Sequence, residues 1–432
     1  MFAIEAQMPI TRREFLRTAG AVAGATLAES LLAACAPGRS VRGRIPLVRQ
    51  EHPVAWPIHE DNLPIRSGMS VERGATLRIY EWRQYLSNDV LDSFARRYQD
   101  ADITVHTESF ESREAAVGTL SRPRARFDVF FPTVDQIGGL VEARLLQPLN
   151  HDYLPNLRNL WPQFSPSAGP FYDQGLGYTI PYTVFATGIG WRADMVARAD
   201  DPNRLRNPYD AFWNPAYGGR VGLYDSYREV IGMALLHDGV RNVNTRDAVE
   251  IADASDALEA LARVARVALT TEGAYEGLPN GRFALHQAWS GDILSALRWG
   301  RAESLGTAPF LRYFWPSDGA GVVGCDLVAI CAGAESPVLA HAFLNHLLDT
   351  GVALRNFAWN GYQPPIADAT PQALFAPRSP WRRTIPSNLH SAVLTPEDFA
   401  RGRFLLALDP AADAEWLRAW EGFRTSSRSQ AR

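Results

Sequence analysis

One local layout occurs four times along this chain, and it narrows the fold more than any other feature of the sequence. An apolar run gives way to a short polar or aromatic turn, and an amphipathic helix follows. "ATLRIYEW" alternates Leu77 and Ile79 with polar neighbours; "SNDVLDSFARRY" then offers Ser87 or Asn88 as a cap and shows Val90, Leu91, Phe94 and Tyr98 on one helical face. "FDVFFPTVDQIGGLVEARLL" passes from an apolar run, Phe127 to Phe131, through Thr133 and Asp135 into a helix. "RVGLYDSYREVIGMALL" puts Asp225, Ser226 and Glu229 at the turn and first helical positions, and "FALHQAWSGDILSALRW" puts Trp289, Ser290 and Asp292 there. The repetition predicts an α/β fold. In open α/β sheets a ligand sits beyond the carboxyl ends of the strands, which is where these four turns lie. One Asp at a helix start is ordinarily a cap and one Trp ordinarily packing; four such turns together point to a cleft.

A chain of 432 residues exceeds one ordinary core, and 46% apolar residues are ample for two. The formal charge of −4 and the lack of a basic stripe exclude a nucleic-acid binder. All 43 basic residues are arginine, which excludes lysine nucleophiles and Schiff bases.

The N-terminus reads as an address. "TRREFLR", Thr11 to Arg17, places paired arginines before a weakly apolar stretch, Ala19 to Ala34, which Glu29 interrupts. The stretch is shorter than the roughly 20 residues that span a bilayer, so it reads as an export signal. The arginines resemble a twin-arginine signal. Leu32-Ala33-Ala34-Cys35 resembles a lipobox, in which Cys35 becomes the lipidated mature N-terminus and the membrane anchor. Residues 36–75, with Pro37, Pro46, Pro53, Pro57 and Pro64, form an extended tether partly draped over the first domain. Cys325 and Cys331 read as buried thiols: on one strand their alpha carbons stand roughly 20 Å apart, beyond disulfide reach.

From about Leu77 to Phe423 the chain resembles the substrate-binding proteins of bacterial ABC importers, in particular the spermidine/putrescine-binding group. "YEWRQYL", "FDVFFPT", "TIPYTVFATGIGWRADMV", "FWNPAYGGRVGLYDSYREVIGMAL", "WSGD", "CDLVAI" and "NGYQPP" carry the resemblance. It implies an α/β, two-lobed periplasmic-binding-protein-like fold of type II with the ligand cleft between lobes. Lobe 1 is then 76–182 plus 326–370, lobe 2 is 183–325 plus 371–424, and 425–432 is a disordered tail. The chain crosses between lobes near Pro181 to Thr183 and near Gly324 to Asp326. The implied pocket residues are Trp82, Tyr85, Thr133, Asp135, Asp225 or Ser226, Glu229, Trp289, Asp326 and Tyr362. A polyamine wants flat walls for its methylenes and carboxylates for its ammonium groups, so Trp82, Tyr85, Trp289 and Tyr362 are the walls. Asp135, Glu229 and Asp326, with Asp225 fourth, are the acids. The implied partners are a polyamine, an ABC permease and, through Cys35, the membrane; the protein is exported and monomeric, with no cofactor or metal.

The sequence departs from the group at several points. Arg83 and Gln84 stand where a small polar residue and an acid are usual, Gly324 where a second wall tryptophan is common, and Leu405 where a polar contact is expected. Arg83 in the cleft would favour an amino acid or another amine. Ferric iron held by Tyr85, Tyr182, Tyr224 and Tyr227 is a further alternative. A secreted enzyme is the last, but no nucleophile elbow, H-E-x-x-H or nucleotide-binding glycine fingerprint is present. His341 and His346, five apart, do not share a helical face well. "DAEWLRAWEGF" predicts a docking helix on lobe 2 that uses Trp416, Leu417, Trp420 and Phe423.

Overall fold

The computed structural model describes residues 46–110, 113–122, 125–299 and 308–430. The export signal, Cys35 and the start of the tether lie outside the described residues. Strands are β1 (Thr76–Trp82), β2 (Thr104–Phe110), β3 (Val129–Phe130), β4 (Leu146–Gln147), β5 (Thr179–Arg192), β6 (Val221–Leu223), β7 (Ala268–Leu269), β8 (Leu285–Trp289), β9 (Leu311–Phe314), β10 (Val322–Cys331) and β11 (Arg403–Phe404). Helices of ten or more residues are α1 (Asn88–Arg97), α2 (Tyr227–His237), α3 (Ala248–Ala265), α4 (Ser290–Trp299), α5 (Pro337–Leu347), α6 (Thr350–Asn360) and α7 (Pro410–Gln430).

Each repeated layout becomes a strand followed by a helix or helical turn. Ser87 caps α1, accepting from the Val90 N–H, and Thr133 and Gln136 form a reciprocal capping box at the second turn. The strands join one sheet in the order β2-β1-β3-β10-β5-β8-β6-β7, with β4 and β11 on β10 and β9 on β5. The flanks are parallel, β1 with β2 and β3 on one side and β6 with β7 and β8 on the other. Between them runs the long antiparallel pair β5–β10, in register from Thr179↔Ala329 to Thr187↔Val322 with one irregularity between Asp326 and Leu327. At Thr187, β5 takes up β8 as a partner.

Buried side chains form two apolar cores. The first holds β1, β3, β10, α5 and the start of β5; the second holds β6, α2, α3 and α7, with Ile189 and Trp191 from the far end of β5. Of the two long strands only β5 has residues in both cores, and the first core also takes in Tyr224, Phe283, Ile293 and Leu294 from the far flank of the sheet. Leu374, Leu389, Leu394 and Phe404, expected in the second lobe, pack with the first core, and only from Leu408 onward does the chain join the second.

The described part of the tether is fastened along the body. The Trp56 indole donates to Tyr172 O at 2.8 Å, and the Glu72 carboxylate accepts the Val338 and Leu339 N–H groups at the start of α5. The C-terminal helix differs from expectation in two ways. Trp416, Trp420 and Phe423 are buried in the second core, but Leu417 is exposed, because it lies about 100° around the helix from Trp416. The segment expected to be a disordered tail continues the helix to Gln430. Cys325 and Cys331 are buried free thiols. His341 accepts the Asn150 N–H, and His346 lies against Ser93, so both serve packing.

Candidate functional site

The β5–β10 pair is the floor of the site. Cross-strand partners share a face in an antiparallel pair, so Thr183 with Asp326, Phe185 with Gly324 and Thr187 with Val322 make one row. Val184 and Cys325 face the opposite way and are buried, as strand alternation requires.

Asp326 is 9% exposed and accepts the Tyr85 hydroxyl at 2.5 Å; that hydroxyl also lies 2.6 Å from Thr183 Oγ1. Burial and the Asp326 charge push the Tyr85 phenol well above its ordinary range, so it stays a donor. Tyr85 was expected as a flat wall. It is instead only 5% exposed and works as a hydrogen-bond arm: its ring meets Phe131, Tyr182 and Tyr362 edge-on. Its carbonyl accepts from Asn356, Asn360 and the Tyr182 hydroxyl. Gln84, at φ 58°, makes the left-handed step that turns Tyr85 inward. Arg83 is exposed, and its charge is felt at Tyr275 on the other side of the cleft.

From the second lobe come Glu229 and Asp292, 8% and 4% exposed. The Trp289 indole donates to Glu229 Oε1 at 2.8 Å. Asp292, at the start of α4, accepts the Tyr224 and Tyr362 hydroxyls, each at 2.7 Å. Burial raises the Asp292 carboxyl to about 6 although both hydroxyl bonds oppose the rise. The rings form a continuous series: Tyr224 stacks on Trp289 at 4.0 Å, Trp289 lies 5.9 Å from Phe185, Phe185 6.1 Å from Tyr362, and Tyr362 5.6 Å from Tyr85. Tyr362 reaches this position because residue 291 is glycine; a Cβ there would come within 2.5 Å of its ring.

Several expected residues stand elsewhere. Asp225 is exposed and lies 3.9 Å from Arg424, because Tyr224 faces inward and alternation turns the next side chain out. Ser226 is the half-buried cap position of α2 and makes no side-chain cap bond. Trp82 ends β1, half-buried, with its ring 4.5 Å from Phe110. Thr133 bridges to Asp326 through the backbone and donates to Asp135 at 2.6 Å, so both stand at the first-lobe rim.

Sequence reasoning left Phe185, Asp292 and Glu81 out of its pocket list. Asp292 was legible as the acid of "WSGD"; Phe185 and Glu81 carried no signal beyond their place in strands. Glu81 is 5% exposed on the face of β1 that carries Leu77 and Ile79, and burial raises its carboxyl to about 8, opposed by a bond from the Leu86 backbone. Of the tyrosines weighed for iron, Tyr227 donates to Asp413 in the second core, and burial holds Tyr182 and Tyr224 well above the range where phenolates form. Among the described residues no group of three or more His, Cys, Asp or Glu side chains is placed to hold a metal ion. A polar cavity of about 750 Å³ lies elsewhere, among Arg49, Arg241, Arg246 and Arg403. Its arginines are engaged with Ala407 O, Asp318, Asp409 and Gly319 O, so we assign it to the scaffold.

Residues 90–379, more than half of the chain, match the family described as bacterial extracellular solute-binding protein. The chain is 25% identical over 351 residues to the putrescine-binding periplasmic protein PotF of Escherichia coli, covering 80% of this chain and 90% of that one. It is 26% identical over 275 residues to spermidine/putrescine-binding periplasmic protein 1 of Haemophilus influenzae, covering 63% and 70%. The Tp0655 lipoprotein of Treponema pallidum superposes with a TM-score of 0.65 at 22% identity, over 81% of this chain and 99% of that one. The last likeness bears on the fold alone, and it is two-lobed.

Proposed function

The chain belongs to the bacterial extracellular solute-binding protein family, and we propose that it is the binding component of an ABC importer that captures a polyamine-like cation between its lobes. The observation that carries this reading is the convergence of three buried carboxyl groups, Asp326, Glu229 and Asp292, on one series of aromatic rings. An ammonium buried without an anion costs several kcal/mol, whereas a ring facing it contributes about 0.5 to 2 kcal/mol. The acids therefore set the ligand class and the rings hold its methylenes. Asp135 and Thr133 add a polar rim on the first-lobe side, and Trp82 an apolar one. The lobes in this reading are 76–182 with 326–370 and 183–325 with the C-terminal helix, residues 371–406 going with the first core, and they close by hinge motion about β5 and β10. Cys35 is the lipid-bearing N-terminus, supported by the paired arginines and by "LLAAC"; replacing it with serine should release the protein from membranes.

Thermal unfolding of the mature chain with putrescine, spermidine, spermine and a set of amino acids tests the assignment. A ligand at a hundred times its Kd adds about 2.7 kcal/mol. We expect amines to raise Tm and amino acids not to. Glu229→Gln and Asp326→Asn should each remove the shift while the empty protein keeps its Tm. A shift with amino acids alone would move the ligand to that class.

A further inference from the structure

The longest strand of the protein opens to solvent at one interior position. Every residue of β5 from Thr179 to Trp191 is buried except Phe185, and every residue of β10 is buried except Gly324. These two are cross-strand partners. The Phe185 ring lies flat on its neighbour: a Cβ built on Gly324 would stand 2.2, 2.5 and 2.9 Å from three of its ring carbons. The same ring stands between Trp289 and Tyr362, one step along the floor from Asp326. Beside it, the Thr187 hydroxyl is buried and makes no hydrogen bond among the described residues, leaving a polar atom on this row for a guest.

We infer that Phe185, seated on Gly324, is the specificity-determining wall of the cleft, and that glycine at 324 is there to keep that ring in place. The inference rests on the polyamine reading and adds to it the strand that supplies the central ring. A side chain at 324 would displace the phenyl group and put its own atoms where the methylenes lie. The wall can therefore come from β5 or from β10, but not from both.

Titration calorimetry with putrescine and spermidine tests this on four variants of the mature chain. Phe185→Leu keeps apolar volume but removes the ring face, and should weaken amine binding about three- to thirty-fold with little change in Tm. Phe185→Trp keeps a ring and should bind within about three-fold of wild type. Gly324→Val should reproduce the loss by evicting the ring. The double exchange Phe185→Gly with Gly324→Phe should recover most of it. Amine binding by Phe185→Leu at wild-type strength would overturn the inference while leaving the polyamine reading intact. A wild-type chain that binds no amine would overturn both.

Discussion

Glu81 and Asp292 are both buried carboxyl groups within reach of the same cleft, and their surroundings treat them in opposite ways. Asp292 receives two tyrosine hydroxyls, one on each oxygen, and its carboxyl rises only to about 6. Glu81 has the Leu86 backbone on one side and no partner for Oε2 among the described residues, and it rises to about 8. The number of donors supplied decides which acid is charged at neutral pH. Asp292 is an anion that can answer an ammonium; Glu81 is a neutral brace beneath the Tyr85 loop. Sequence marks Asp292 at a helix start but gives Glu81 no signal beyond its place in a strand.

The sharpest way to break this comparison is Asp292→Asn. It removes a buried charge facing the proposed cation and should weaken putrescine binding about a hundred-fold. In the wild type the affinity should fall as pH drops through about 6, where Asp292 takes up a proton; titration calorimetry between pH 5 and 8 reads both effects. Glu81→Gln comes next and acts on stability. The folded Glu81 carboxyl lies above its unfolded value, so the wild type is at its most stable, as far as this group decides, below about pH 4.5. It loses that stability as pH rises toward 8 and then levels off. The glutamine variant lacks this slope and should be more stable at pH 8.5 by on the order of 5 kcal/mol, with the difference gone at pH 4 and putrescine affinity unchanged. Tyr362→Phe removes one of the two hydroxyls from Asp292, at about 1 kcal/mol, and should raise the pH at which binding is lost. Asp225→Asn should change stability and affinity by less than about 0.5 kcal/mol, since its partner Arg424 is 3.9 Å away and Asp225 itself is exposed. A large effect at Asp225 would return that residue to the cleft.

The fold was legible because strand, turn and helix leave strong local patterns, and four copies of one layout fixed the class. Those patterns also marked Trp289 and Glu229, at a strand end and a helix start, whereas Asp326, inside β10, and Tyr362, next to Gly361, came only from the family resemblance. What escaped was set by pairing between distant strands. Phe185 lies in the middle of an apolar strand, and only its register with Gly324 shows that it faces the cleft. Glu81 carried no local signal of its own: it continues the Leu77 and Ile79 face of β1, which is the buried one, and that burial sets its charge. Tyr85 was found, but its role changed, because the left-handed step at Gln84 turns the ring into the interior. Asp225 and Ser226 were left as alternatives; Asp225 points outward because Tyr224 takes the inward position, and Ser226 is half-buried at the start of α2 without a side-chain cap bond.

Comparing putrescine with butane-1,4-diol, a chain of the same length without charge, tests most directly whether cleft acids neutralise a cationic guest. Calorimetric titration of the mature protein should show binding of the diamine, weakening as pH falls through about 6, and no heat from the diol. Equal binding of the two, or no binding of either, would contradict the account.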